Sequence, residues 1–307
     1  MTNKTKTLQH ILHNAEALLS RSKKLSLSHS DIRNETRLLA HLLVPALPFI
    51  PTTNDLETLV MSSTQHDTFL ALIERRSNAE PMAYLTGEKE FWSLPLHVNS
   101  DTLIPRPDSE TLIESLLAWR TPAAHPNAPP PRVLDLYTGA APLLLAALTE
   151  LDQAIGVGID VSPGAIAMAT KNAQRNNLSN RCSFLVEDLH DVDWTASDPY
   201  DCIFANPPYV TGTDYQALMF DVKEYEPKQA LVGEGVDGLH CYEKLAQTFQ
   251  ENRLQLRNEE SLLIMEVGIH QDQKVVDLFE TMCGMRMREV RKDYGGVPRS
   301  VVMSPGK

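Results

Sequence analysis

Between residues 133 and 267 the chain alternates short apolar runs with stretches of helical periodicity. The runs are Val133 to Leu136, Ile155 to Ile159, Cys182 to Val186, Cys202 to Ala205 and Leu262 to Val267; helices are expected over Pro142 to Leu151, Ser162 to Asn177 and Leu239 to Phe249. Runs this short and this apolar suit strands buried on both faces, and the interleaved helices supply the crossovers that parallel strands require. Ser162 followed by Pro163 is a good N-cap and first-turn pair. The fold class predicted is α/β, a mostly parallel sheet with helices on both faces. A last helix over Gln273 to Met282 precedes two further runs, Met287 to Val290 and Ser300 to Met303, joined by Asp293-Tyr294-Gly295-Gly296. An antiparallel C-terminal hairpin should therefore close the sheet.

The first third of the chain has a different texture. From about residue 5 to residue 79 apolar positions recur at three and four, as in Leu8, Ile11, Leu12, Ala15, Leu18 and Leu19, then Ile32, Leu38, Leu39 and Leu42, then Phe69, Leu72 and Ile73. A small helical domain over 1–80 is expected, ended by Pro81. Ala83 to Asn99 alternates about Gly87 as a hairpin would, so 81–107 reads as a β-hairpin linker. A helix should start near Asp108, with Ser109 and Glu110 in its first turn, opening a catalytic domain over 108–307. Thr121 to Pro131, rich in proline and alanine, reads as a surface loop or linker within it.

Charge and composition exclude several classes. The formal net charge is −12, and residues 1–100 hold ten basic and ten acidic side chains, so the deficit lies wholly in the second part. That opposes a phosphate backbone as direct partner. The cysteines Cys182, Cys202, Cys241 and Cys283 form no Cys-x-x-Cys pair, and they read as small packing residues rather than a metal or redox site. Neither a His-Glu-x-x-His run nor a Gly-x-Ser-x-Gly elbow occurs, so the common cues for zinc hydrolases and serine esterases are missing. Pro45, Pro48 and Pro142 break the longest apolar candidates for a membrane span. The N-terminus is Ser-rich and mildly basic, with Glu16 its first acid, but its helical spacing assigns it to the folded chain rather than to a mitochondrial presequence.

Function should sit at the carboxyl ends of the strands, near the point where strand order reverses. Four ends carry polar or turn residues: Asp135-Leu136-Tyr137-Thr138-Gly139-Ala140-Ala141-Pro142, then Asp160, then Glu187-Asp188-Leu189, then Asn206. Asp160 follows Asp135 by 25 residues, close to the spacing of an acid that accepts both hydroxyls of a nucleoside ribose. It reads equally as a surface acid at the start of the next helix.

The fourth end runs Phe204-Ala205-Asn206-Pro207-Pro208-Tyr209. Proline fixes the backbone and leaves carbonyls without competing N–H donors. Asn206 can offer its side-chain oxygen and Pro207 its carbonyl, two acceptors for one planar NH2 group, with Tyr209 flat against that plane.

This constellation resembles the class I S-adenosylmethionine-dependent methyltransferases with an Asn-Pro-Pro-Tyr motif, which act on NH2 nitrogens. DNA adenine methyltransferases and protein glutamine methyltransferases share that motif. Gly87 to Glu114, with Phe91-Trp92 and Ile104-Pro105-Arg106-Pro107-Asp108, and Arg291 to Met303 are similar to the peptide-chain release factor glutamine methyltransferases, the PrmC or HemK family. The likeness runs from about residue 30 to the C-terminus. It implies a class I, Rossmann-like methyltransferase fold, S-adenosyl-L-methionine as cofactor, and the glutamine of a release factor's Gly-Gly-Gln loop as methyl acceptor. It also implies that the helical domain recognises the release factor. Carried over by position, Tyr137, Thr138, Gly139, Ala140 and Ala141 surround the cofactor's methionine part, Asp160 binds ribose, Asp188 with Leu189 flanks adenine, and Asn206 also meets the cofactor. Asn206, Pro207, Pro208 and Tyr209 hold the glutamine amide, with Asn206 and Tyr209 as the catalytic pair; Glu226-Pro227 fits the pattern downstream without an assigned role.

One departure matters. The family loop after the first strand is normally glycine-rich at the positions occupied by Tyr137 and Ala141, and only Gly139 remains. Glycine there permits positive φ and close backbone approach, so the replacements are expected to narrow the cleft or force a different loop path. No strong general base is expected in the motif. Alternatives to the release factor reading are a glutamine methyltransferase for a large-subunit ribosomal protein, a DNA adenine methyltransferase, and a cofactor-impaired homologue that only binds release factors. The bacterial cytoplasm is the expected location, a mitochondrial matrix the alternative.

Overall fold

The computed structural model describes residues 7–48, 50–118, 130–189, 191–194, 197–251 and 253–306. Most of the expected linker, Thr121 to Pro131, lies outside them. The chain forms two compact units: Met1–Gly87 with Met219–Tyr225, and Glu88–Leu218 with Glu226–Lys307.

The first unit is helical: α1 (Leu8–Ser20), α2 (His29–Leu43), α3 (Thr53–Thr58), α4 (Ser63–Ser77), α5 (Met82–Thr86) and, from the later segment, α10 (Phe220–Tyr225). Ser28, Thr52 and Ser62 open α2, α3 and α4 with reciprocal capping boxes, which satisfy the first free N–H groups. Leu8, Ile11, Leu12, Ala15 and Leu19 are buried on one face of α1 with Ile32 and Leu39 of α2 and Phe69 and Ile73 of α4. Leu18 and Leu42, counted to that face from spacing, are exposed. Arg76 of α4, itself buried, clasps Glu35 of α2 through two bonds of 2.7 and 2.9 Å.

The second unit begins with a hairpin, β1 (Glu88–Phe91) and β2 (Leu94–His97). Its placement corrects the expectation: Ala83 to Thr86 is helical within α5, and Gly87 is that helix's left-handed C-cap at φ 73°. The hairpin turns instead at Trp92 and Ser93, both at positive φ, as a two-residue primed turn demands. Two side-chain acceptors stabilise that unusual choice, since Trp92 donates its amide to Glu110 at 2.9 Å and its indole N–H to Glu150 at 2.8 Å.

After a 3₁₀ turn at Pro107–Ser109 come α6 (Glu110–Ala118), β3 (Arg132–Leu136), α7 (Pro142–Glu150), β4 (Ile155–Asp160), α8 (Pro163–Arg175), β5 (Cys182–Val186) and β6 (Cys202–Ala205). Three helices follow, α9 (Gly212–Ala217), α11 (Lys228–Leu231) and α12 (His240–Gln250), then β7 (Leu262–Glu266), α13 (Asp272–Cys283), β8 (Arg286–Lys292) and β9 (Pro298–Ser304). The seven strands β3 to β9 lie in the order β5-β4-β3-β6-β7-β9-β8, the first five parallel and β9 antiparallel to both neighbours. Alternate residues of each strand face opposite cores. Leu134, Leu136, Ile203 and Met265 pack with Tyr242, Leu245 and Phe279 of α12 and α13, whereas Val133, Phe204 and Ile264 pack with Leu112, Leu144 and Ala169 of α6, α7 and α8. Burial on both faces explains why the central strands β3, β6 and β7 read as mainly apolar runs, whereas the edge strand β5 is largely exposed.

Candidate active site

Register brings four strand ends together. Leu136 lies opposite both Ile159 and Ala205, and Ala205 lies opposite Met265, so Tyr137, Asp160, Asn206 and Glu266 emerge at the same edge of the sheet. Strand order reverses between β3 and β6, which opens a crevice there.

The loop after β3 keeps a glycine-type path without the glycines. Tyr137, Gly139 and Ala141 have φ of 60°, 54° and 63°. A left-handed backbone costs a residue with a Cβ about 1–2 kcal/mol. The surroundings hold it nonetheless: Thr138 N donates to Ile159 O at 2.9 Å, Ala141 N to Thr138 O at 2.7 Å, and Asn172 Nδ2 of α8 to Ala140 O at 3.0 Å. Buried Asn172 also exchanges bonds with His97, so one carboxamide staples the hairpin to this loop. The left-handed angles that glycine would ease are thus kept at both replaced positions. The phenol of Tyr137 packs against the apolar cluster beneath α12, and its hydroxyl faces Cys241.

Beneath the loop, Asp135 is 1% exposed; its Oδ2 accepts the Thr138 hydroxyl at 2.6 Å. Among the described residues no donor closes a bond to Oδ1. Burial pushes this carboxyl up to about 7, and the Thr138 bond and the nearby Leu144 amide only partly oppose it. A carboxyl whose folded pKa is raised holds its proton longer in the native state than in the unfolded chain. Its contribution to stability thus declines as pH climbs from the unfolded value of about 4 to the folded one. In melts between pH 5 and 8 the stability difference between wild type and Asp135→Asn should move toward the variant with rising pH, by up to about 2.6 kcal/mol. A difference that stays flat would show that Asp135 does not titrate there.

Asp160 stands at the start of the next helix, as one of its two alternative readings expects. Its Oδ1 accepts Ser162 N at the start of α8 and its Oδ2 accepts Gly139 N, each at 2.9 Å. Burial raises its pKa, while those backbone bonds pull it down. Each oxygen keeps a second lone pair, so the carboxylate retains acceptor capacity for two hydroxyl groups. Asp188 is exposed just past β5, where its charge helps to raise the Tyr137 phenol, whereas the Leu189 side chain is buried and its carbonyl accepts the Trp194 indole at 2.8 Å.

The Asn206-Pro207-Pro208-Tyr209 turn is anchored by a residue that sequence reading passed over. Glu266, at the end of β7 and 3% exposed, accepts Asn206 Nδ2 and the Tyr209 hydroxyl at 2.9 Å each, and the Ser109 hydroxyl at 2.5 Å. Burial pushes the Glu266 carboxyl up, against the two hydroxyl bonds and the charge of Arg299, which hold it down. Gln271 Nε2 donates to Tyr209 O at 3.0 Å and to Asp237 O at 2.9 Å. Gly238, at φ 72°, lies so close that a Cβ there would sit 2.2 Å from Tyr209 O; only glycine fits. Two resembling stretches also find their reasons. Arg106 pairs with buried Glu226, which also accepts Ile104 N at 3.0 Å, and Arg299 bonds Asp293 at 2.9 Å while facing Asp108 at 3.6 Å.

Comparison with known proteins agrees with this architecture. Residues 130–295 match a family model described as a methyltransferase domain. The chain is 36% identical over 273 residues to a release factor glutamine methyltransferase of Rhodospirillum rubrum, covering 88% of this chain and 78% of that one. It is 34% identical over 291 residues to a protein of the same name from Aliivibrio fischeri, covering 92% and 95%. Among solved structures, a human methyltransferase 10 domain containing protein aligns with a TM-score of 0.50 at 14% identity, over 70% of this chain and 91% of that one.

Proposed function

This chain belongs to the release factor glutamine methyltransferases, and from that premise we propose that it transfers the methyl group of S-adenosyl-L-methionine to the side-chain amide nitrogen of the glutamine in a release factor's Gly-Gly-Gln motif. The observation that carries the reading is the Asn206 carboxamide: its NH2 is committed to Glu266, which leaves Oδ1 as an acceptor in the crevice. Bound S-adenosylmethionine supplies an electrophilic methyl carbon on a sulfonium. Tyr137 to Ala141 would border its methionine part, Asp160 would accept from ribose, and Asp188 with Leu189 would flank adenine. The lone pairs left on Asp160 and the left-handed loop path fit that role.

A glutamine amide is a poor nucleophile because its lone pair is delocalised. Asn206 Oδ1 and Pro207 O would accept its two N–H groups, and Tyr209 would pack on its plane. Holding both hydrogens aims the nitrogen along the line of displacement and offsets the positive charge that grows on it. The cofactor would supply the methyl group, its sulfur keeping the C–S electron pair as the N–C bond formed, while Asn206 Oδ1 and Pro207 O held the nitrogen, which would then give a proton to water. The helical unit over 1–80 would recognise the release factor, the segment 81–107 would link it to the catalytic domain over 108–307, and the cytoplasm is where such a substrate is met. Among the described residues no helix is long and apolar enough to cross a membrane.

Mass spectrometry of a purified release factor incubated with enzyme and cofactor tests this, with one added methyl expected on the Gly-Gly-Gln glutamine. Capture of the release factor without methylation would instead support a homologue that only binds. The left-handed path is already present in the free loop, so relieving it at Tyr137 and Ala141 stabilises free and bound protein alike. The double variant Tyr137→Gly, Ala141→Gly, which also withdraws the phenol, should therefore bind the cofactor more tightly in calorimetric titration only through the width that the two side chains take from the cleft. An unchanged Kd would clear the loop of any part in limiting affinity.

A further inference from the structure

We propose that Glu266 is the positioning residue of this site: its carboxylate fixes which way round the Asn206 carboxamide faces and lends negative charge to the transfer through it. The inference rests on the methyl-transfer reading above. Donors from two separate segments meet on this one carboxylate, Ser109 from the 3₁₀ turn and Asn206 with Tyr209 from the turn after β6. Three donors on its two oxygens hold this carboxyl as an acceptor. Turned about, Asn206 would set Oδ1 against Oε2 of Glu266, two acceptors facing each other 2.9 Å apart. The NH2 group is thereby held on Glu266, and Oδ1 is left for the substrate.

A neutral acceptor could not fix this. A glutamine at 266 could turn its own amide and so admit either orientation of Asn206. The charge has a second effect. An N–H donated to an anion polarises the whole carboxamide, which makes Oδ1 the stronger acceptor just when the substrate nitrogen becomes positive. The Tyr209 hydroxyl on the other carboxylate oxygen holds the ring through the same group. Asp108 and Arg299 are the other charges facing it, of opposite sign.

The test is a two-residue cycle on the full-length protein with purified release factor and S-adenosylmethionine. Glu266→Gln should lower kcat by about 10- to 100-fold, with the KM for release factor and the cofactor Kd within about threefold of wild type. Asn206→Asp sets two carboxylates in contact and should lose about 1,000-fold. Combined with Glu266→Gln, whose NH2 can donate to the new carboxylate, it should regain about tenfold or more over the Asn206→Asp single variant. Losses that simply multiply, or a Glu266→Gln enzyme with wild-type kcat, would overturn the proposal.

A second readout does not need turnover. In ¹⁵N-edited spectra the Asn206 carboxamide of wild type should show one proton shifted strongly downfield by the carboxylate, and Glu266→Gln should lose that shift; an unaltered signal also overturns the proposal. Should Glu266→Gln not fold, Glu266→Asp, which keeps the charge but withdraws it by one methylene, must show the same loss in kcat and a weakened shift. A wild type that leaves the release factor unmethylated while its Asn206 signal behaves as described would sink the substrate reading and not the pairing.

Discussion

Asn206→Ala is expected to lower kcat for release factor methylation by about 100- to 1,000-fold, the usual loss when one preorganised polar group facing a developing charge is removed. The cofactor Kd should stay within about threefold, because Asp160 and the loop after β3 hold their own bonds to one another and none of these involves Asn206. Alanine removes the acceptor for one substrate N–H and also strips Glu266 of one of its donors. Tyr209→Phe separates these effects, since it takes a donor from Glu266 but leaves the ring and the Asn206 oxygen in place; its loss should be smaller. Initial rates of labelled-methyl transfer, measured beside calorimetric titration of the cofactor, decide the matter. An Asn206→Ala enzyme with wild-type kcat would mean that methyl transfer takes place elsewhere.

How much of this was legible in the sequence depends on distance along the chain. The central strands β3, β6 and β7 announced themselves because burial on both faces leaves few polar residues to interrupt them, and the motif after β6 stood out because Pro-Pro follows directly on an apolar run. Glu266 carried a weaker form of the same signal, a lone carboxylate closing the apolar run Leu262 to Met265. It was passed over because its partners come from 57 to 157 residues away in the chain. Only the register of β6 with β7 sets it beside Asn206. The hairpin was displaced for another reason. A glycine flanked by alternating residues suits a turn or a helix C-cap equally, and the actual turn uses Trp92 and Ser93, whose positive φ depends on acceptors supplied by Glu110 and Glu150. The strain at Tyr137 and Ala141 is similar in kind: composition gives the missing glycines, but only the bonds around Thr138, Asp160 and Asn172 decide that the path survives.

The same long-range logic makes Arg106→Ala the substitution with the largest expected cost in stability. Glu226 is buried, with its side chain 1% exposed, and its carboxylate is met by the Arg106 guanidinium and by Ile104 N. Removing the cation leaves a buried anion with one backbone donor, a change that costs about 3–5 kcal/mol in such settings. The Arg106 side chain is 35% exposed, so water can follow it in and the lower end applies. A loss of about 3 kcal/mol, or roughly 10 °C in Tm, is expected for the second unit. Arg106→Leu combined with Glu226→Gln should recover at least half of that, because the uncompensated charge and not the lost attraction dominates the cost. Equal melting of the two variants would refute this. The consequence reaches the chemistry, since the pair ties Ile104 to Arg106 in place immediately before Ser109, whose hydroxyl closes on Glu266. Arg106→Ala should then lower kcat at temperatures well below its own Tm, and Glu226→Gln with Arg106→Leu should restore activity in step with stability.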